Sequence, residues 1–411
     1  MGSGSGSARA CTRTIGRVSP RSVGAGARPG YEAAAVVDLG SIADSVRACA
    51  AAAPTAAVMA VVKADGYGHG LLPSARAALA GGATWLGTAH VAEALALRAA
   101  GFTVPVLSWL NPPGTPLVEA VAADIDLAVS APWALDEVVT AAGELGRPAR
   151  IHLKVDTGLR RNGVTLRELE GLLAAAATAQ AEGSAVVVGI MTHFVHADLP
   201  HHEMTARQVD AFVDVLARAE RYGIRPEVRH CANSAATLTR PDTHFDLVRP
   251  GIACYGLTPV PQSGPPSRFG LTPAMTLVAP VALVKDVLAG EGVSYGHLWV
   301  AEEDGRIALV PIGYADGVPR AATNVAEVQV RGRRERIAGR VCMDQFLVTA
   351  GSDVQAGDEV VLFGPGAAGE PTAQDWADAL DTISYELVTR IGPRVRRIYV
   401  NDPAARVTDE P

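Results

Sequence analysis

Only three of the 36 basic residues in this 411-residue chain are lysines: Lys63, Lys154 and Lys285. Arginine serves wherever a generic positive charge suffices. Each retained amine is therefore a candidate for chemistry a guanidinium cannot perform, such as a Schiff base with a carbonyl or a carbamate with carbon dioxide. Lys63 falls at the end of the apolar run 56–64 (AAVMAVVKA), and Lys154 and Asp156 at the end of 150–156 (RIHLKVD), with Arg161 in the loop beyond. His193 ends 186–193, Asn233 and Ser234 end 227–234, and Arg249, Gly251 and Ile252 fall at the end of 245–251. An ordinary Lys154–Asp156 ion pair is the competing reading of that lysine, and a plain ion pair that of Arg249.

The elements that must position these groups follow from the same runs. With 85–89, 104–109 and 126–129 there are eight β-rich runs. The pieces between them, such as 165–182 and 203–222, repeat apolar residues at i, i+3 and i+4, as surface helices do. Eight alternations predict a (β/α)8 TIM barrel, with a doubly wound sheet as the competing architecture. Barrel chemistry sits at the C-terminal ends of the strands, and there the polar groups from at least five strands converge. Ser234 and the Gly251–Ile252 backbone follow strands seven and eight, the usual phosphate corner of such barrels. A lysine opposite that corner suggests a phosphorylated carbonyl cofactor, of which pyridoxal 5'-phosphate is the obvious one.

Beyond residue 265 the texture changes. A Pro/Gly/Ser linker at 259–270 precedes short β-rich runs at 275–288, 306–314, 325–331, 336–349 and 358–363, and 374–388 has helical spacing. The expected organisation is a disordered leader at 1–31, a barrel at 32–265, a C-terminal mostly-β domain at 266–401 and a tail at 402–411. The leader carries five arginines, no acid and no apolar core, so it is not a secretory signal.

Composition narrows the function classes. The 48% hydrophobic and 19% charged make-up, with mean hydropathy +0.18, is that of a soluble globular protein without a membrane span. A net charge of −7 offers no general basic field, so nucleic acid is not an expected partner. Cys11, Cys49, Cys231, Cys254 and Cys342 form an odd set without a CxxC pair, pointing to reduced thiols, a cytoplasmic address and no metal site.

The motifs VVKADGYGHG (61–70), HLKVDTGLRRNG (152–163), THF (192–194), HCANSAA (230–236), VRPGIACYGL (248–257), VSYG (293–296), PIGYADG (311–317), GRVCMDQ (339–345) and SYELVTRIG (384–392) resemble, in order, those of the alanine racemase family. The resemblance spans about 36–400 and both domains. It implies a pyridoxal phosphate enzyme, a homodimer with shared active sites, and two-base interconversion of L- and D-alanine for cell-wall peptidoglycan. Alternatives are a racemase for another small amino acid such as serine, a non-catalytic pyridoxal phosphate-binding protein, and an amino-acid decarboxylase of related architecture. Single-barrel binding proteins lack the second domain and Tyr295; the decarboxylases do not share VRPG or GRVCMDQ in this form. Gly66, Leu159 and Arg160 depart from the family pattern but replace no residue the chemistry needs.

By the same resemblance, Lys63 is the Schiff-base lysine and one proton base, and Tyr295 of the partner subunit is the second. A phenol ordinarily titrates near 10, so it needs help, which His193 and Arg249 could give as a relay. Arg249 meets the ring nitrogen as a permanent donor. Lys154 is the carbamylation candidate that positions Arg161 for the substrate carboxylate. Tyr67, Ser234, Gly251, Ile252 and Tyr385 look like the phosphate grip, with Asn233 supporting it. Tyr255 and Tyr314 resemble residues at a narrow mouth, while Met343, with Cys342 and Asp344 beside it, resembles the wall of the substrate pocket. Cys254 and Cys342 read by themselves as buried apolar thiols.

Overall fold

A computed structural model describes Met1 and residues 32–403. Nearly all of the expected leader and tail, with Cys11, lies outside the described residues. In chain order the first strands are β1 (Ala34–Asp38), β2 (Ala57–Val61), β3 (Trp85–Thr88), β4 (Val106–Ser108), β5 (Ile125–Val129), β6 (Ala149–Asp156), β7 (Val164–Thr165), β8 (Ala185–Met191), β9 (Val228–His230) and β10 (Leu247–Val248). Sheet order β10-β2-β3-β4-β5-β6-β8-β9 is parallel throughout. The gap between β9 and β10 is bridged by backbone bonds from Asp246 to Arg229 (3.1 Å) and Arg249 to Ala232 (2.9 Å). Every one of the eight predicted runs supplies one barrel strand, which excludes the doubly wound alternative.

The helices around the barrel form for local reasons. In Glu203–Arg221 the buried residues Thr205, Gln208, Phe212, Val215 and Ala219 recur at helical spacing. His202 caps its start by accepting from the Met204 N–H at 3.1 Å, and Arg218 and Arg221 sit at its negative end.

The C-terminal part holds β11 (Met275–Pro280), β12 (Leu283–Val287), β13 (Gly292–Val293), β14 (Trp299–Val300), β15 (Gly305–Val310), β16 (Glu327–Val330), β17 (Arg333–Arg336), β18 (Phe346–Thr349), β19 (Glu359–Phe363) and β20 (Arg396–Val400). One six-stranded sheet runs β17-β16-β19-β11-β1-β20, and a smaller one runs β12-β15-β18. The strand β1 thus belongs to this sheet, antiparallel to β11 and parallel to β20, although its residues precede the barrel. The helical spacing at 374–388 resolves into two helices, Ala373–Ala379 and Ser384–Thr389, broken where Asp381 adopts φ 53°.

Among the described residues no helix is long and apolar enough to cross a membrane. No group of three or more His, Cys, Asp or Glu there could hold a metal ion. Cys49, Cys231, Cys254 and Cys342 are free thiols.

Candidate active site

Where β2 ends, the chain turns the unusual way. Ala64, Asp65, Gly66 and Tyr67 have φ of 53°, 53°, 60° and 53°, a left-handed helical turn directly after Lys63. Each L-residue held there costs about 1–2 kcal/mol, so the turn needs specific support. The Glu93 carboxylate accepts from the N–H groups of Ala64 (2.6 Å), Ala89 (3.0 Å) and His90 (3.2 Å), and Asp65 accepts from Leu71 (2.7 Å). A Cβ at Gly66 would come within 2.7 Å of Ser74 Oγ, so a glycine suits the packing here. Both Lys63 and Tyr67 consequently face one cavity.

That cavity has a volume of about 420 Å³ and lies at the C-terminal end of the barrel. Its walls bring together Lys63, Tyr67, Lys154, Arg161, His193, Asn233, Ser234, Arg249, Gly251, Ile252 and Tyr385. Ser234 Oγ accepts from the Gly251 N–H at 2.7 Å, and Asn233 caps the following helix by accepting from Ala236 at 3.1 Å. Gly251 is bare for a reason: a Cβ there would meet Tyr67 Oη at 2.2 Å. The Tyr67 ring is itself fixed against Tyr255, 4.9 Å between centroids.

Four cations share this space. Burial, then the Arg161 charge, lowers the Lys63 amine below its ordinary value, while Glu93 opposes them. Lys154 is brought down to about 8 by burial and by Arg249, Arg161 and Lys63. No ion pair with Asp156 forms; that carboxylate instead accepts from the N–H groups of Gly158 and Arg160. Burial and the same cations hold His193 well below the usual histidine value. The buried Arg249 is lowered to about 10 and stays protonated at neutral pH.

The Arg249 guanidinium is held by the carbonyls of Thr192 (2.8 Å) and Cys231 (3.3 Å), with His193 Nδ1 at 3.4 Å. It also reaches His230 Nδ1 at 3.0 Å, and behind it lie His152 and Asp126. Sequence reasoning passed over His152, His230, Asp126 and Glu93 as functional positions, and Trp109, Met191 and Thr389 as cavity walls. For His152 a signal existed. In β6, Arg150, His152, Lys154 and Asp156 alternate with Ile151, Leu153 and Val155, which sets a polar row on one face of a strand whose interior is usually branched and apolar.

Tyr295, Tyr314, Met343 and Asp344 lie elsewhere. They line a separate surface depression of about 430 Å³ with Arg320, Arg340 and Cys342. Tyr295 projects from the turn between β13 and β14 and is 71% exposed. Asp344 accepts from Arg394 (2.7 Å), which also binds Asp316 (2.8 Å). Cys342, expected as a buried thiol, is only half-buried on this wall; Cys254 is fully buried. Tyr255 is corrected outright: it is 1% exposed and donates to the Val61 carbonyl at 3.1 Å, so it supports the cavity floor instead of lining a mouth.

Comparison with known proteins agrees with the motif order. Residues 37–259 match the alanine racemase N-terminal domain, and 274–399 match its C-terminal domain. The chain is 59% identical to an alanine racemase of Frankia casuarinae over 89% of its length and 96% of that protein. It is 57% identical to one of Thermobifida fusca, covering 89% and 98%. The crystal structure of alanine racemase from Streptomyces lavendulae superposes with TM-score 0.90 at 54% identity, covering 91% of this chain and 98% of that one. That of Bacillus anthracis, with bound L-Ala-P, gives 0.83 at 35% identity, covering 92% and 97%. With barrel, second domain, ordered motifs and whole-length likeness in agreement, the chain belongs to the alanine racemase family.

Proposed function

We propose that this chain is a pyridoxal phosphate-dependent isomerase that interconverts L- and D-alanine in the cytoplasm, as a homodimer, and supplies D-alanine for peptidoglycan. The observation that carries the reading is the cavity pairing a depressed-pKa amine, Lys63, with a buried guanidinium, Arg249, where many pyridoxal enzymes use a carboxylate. The bare backbone at Gly251 fits the cofactor's phosphate: the Ser234, Tyr67 and Tyr385 hydroxyls and the Ile252 N–H would hold it. Lys63 would take its carbonyl carbon and Arg249 its ring nitrogen. When bound, the cofactor supplies a carbonyl that captures the substrate amine and a conjugated ring that accepts the electron pair left by the α-proton.

The residues then divide the proton traffic. Lys63 Nζ, its pKa lowered by burial and Arg161, takes or returns a proton on one side of the α-carbon. Tyr295 Oη of the partner subunit serves the other side, which gives a reason for a tyrosine left exposed on a free protomer. Arg249 keeps its own protons, so it offers the ring a hydrogen bond and not a proton, which restrains reprotonation at the wrong carbon. Arg161 binds the substrate carboxylate. Lys154 lies among Arg249, Arg161 and Lys63, and a carbamate on its amine would place an anion where three cations meet.

Incubating the purified, cofactor-loaded protein with a panel of L-amino acids in deuterated solvent tests the reading. Racemisation of alanine with α-deuterium incorporation is expected, and borohydride reduction should fix the pyridoxyl group on Lys63. Faster racemisation of serine would replace the substrate, and no exchange with any amino acid would sink the proposal.

A further inference from the structure

Behind Arg249 a line of buried polar groups descends the inside of the barrel. His230 Nε2 lies 2.8 Å from His152 Nδ1, and His152 Nε2 lies 3.1 Å from Asp126 Oδ2. Asp126 is closed off below by Arg150, whose Nε donates to Oδ1 at 2.7 Å. Asp126 and Arg150 sit near the starts of β5 and β6, so the line connects the base of the barrel to the cavity at its top. Asp126, His152 and His230 are all fully buried, and Trp85 meets the His152 ring edge-on at 5.8 Å.

The two ends dictate every hydrogen between them. A guanidinium only donates, so His230 Nδ1 must accept. His230 is then the neutral Nε2–H tautomer and donates to His152 Nδ1. That nitrogen must accept in turn, so His152 is also neutral and donates from Nε2 to the Asp126 carboxylate. Any other protonation sets two donors face to face in a site closed to water. The charges agree: burial, and after it the Arg249 guanidinium, keep His230 well below the usual histidine value. Burial pushes Asp126 up, but hydrogen bonds from His152 and Arg150 outweigh it and keep the carboxyl ionised.

We propose that Asp126, His152 and His230 are positioning residues: a one-way donor relay that locks the His230 tautomer and so fixes where the Arg249 guanidinium points in the cavity. The proposal rests on the racemase reading only for the use to which Arg249 is put. Without Asp126 the His152 Nε2–H is left buried without an acceptor, so the two rings lose their anchor and the acceptor offered to Arg249 is no longer held in place.

The test is ring-nitrogen NMR of protein labelled with 15N-histidine, assigned by single-histidine replacements, together with steady-state kinetics of the cofactor-loaded enzyme. In the native protein both His230 and His152 should show only the Nε2–H tautomer. In Asp126→Leu, where the Arg249 end still dictates the tautomers but the His152 Nε2–H has lost its acceptor, the His152 Nε2 resonance should shift and kcat should fall roughly tenfold or more with KM within about twofold. Asp126→Asn, which keeps the volume and one acceptor, should recover part of both. An Nδ1–H signal at His230 or His152 in the native protein overturns the relay, and this measurement stands even if Asp126→Leu does not fold. An unshifted His152 Nε2 resonance or an unchanged kcat in a folded Asp126→Leu also overturns it. An active-site failure is separable: a native protein inert towards every amino acid sinks the racemase reading, while the relay is still decided by the tautomers.

Discussion

Replacing Ala64 with glycine should stabilise this protein, although the same change inside an ordinary helix does the opposite. Ala64 sits at φ 53° and ψ 51°, and its side chain is exposed, so glycine forfeits no packing. Removing the Cβ relieves about 1–2 kcal/mol of the steric cost of the left-handed region. The freer unfolded chain takes back about 0.4–1 kcal/mol. The balance is a gain of roughly 0.5–1 kcal/mol. Ala96 supplies the control, being exposed in the right-handed helix Val91–Ala99. There glycine should lose about 1 kcal/mol. Both effects can be read from melting temperature, where a chain of this size moves about 1 °C per kcal/mol. Native-state hydrogen exchange is more local: the Gly66 and Gly68 amides, bonded to the Val62 and Ala64 carbonyls, should exchange roughly threefold more slowly in Ala64→Gly. If Ala64→Gly destabilises as much as Ala96→Gly, the turn after Lys63 is not left-handed and the account of how Lys63 and Tyr67 come to share a cavity is wrong.

Gly251→Ala should weaken pyridoxal phosphate binding roughly ten- to a hundredfold by absorbance titration, since a Cβ 2.2 Å from Tyr67 Oη forces overpacking worth about 1–3 kcal/mol; unchanged affinity would place the phosphate elsewhere. Lys154 sits at about 8 in the fold against 10.5 in the open chain, so the unfolded state holds more protons between those pH values and stability should rise with pH across that window. In carbon dioxide-free buffer Lys154→Met should therefore raise stability at pH 7, by up to roughly 3 kcal/mol, and flatten that slope in denaturant titrations; a steeper slope would contradict the assignment. Mixing inactive Lys63→Ala and Tyr295→Phe proteins under subunit exchange should restore about a quarter of native activity, because half the dimers are mixed and each holds one intact site. A mixture that exchanges and stays dead would put both residues in one chain's site.

The eight barrel strands were legible because parallel strands buried on both faces read as continuous apolar runs, and the cavity residues because strand ends break those runs with polar groups. Less visible were β1 and β20. Ala34–Asp38 looks like a barrel approach, and only its long-range pairing with Met275–Val278 and Arg396–Val400 reassigns it. The Tyr255 misplacement has a similar cause: a tyrosine in a motif looks functional, and burial under Tyr67 and His69 is set by tertiary packing alone. His230 lay inside a recognised motif, yet its role depends on an imidazole 78 positions earlier, a relation no local pattern carries.

The placement of β1 makes synthesis order matter. Of the described strands β1 leaves the ribosome first, yet its neighbours in the sheet, β11 and β20, are the eleventh and the twentieth to be made. At roughly 5–20 residues per second, translation from β1 to the end of β20 takes about twenty seconds to a minute. The barrel strands can pair in sequence during that time. The AAVVD segment waits with both edges open, an apolar strand of the kind chaperones protect. Its arrival between β11 and β20 ties an early strand of the nascent chain to a late one, so the six-stranded sheet is completed only after β20 has emerged.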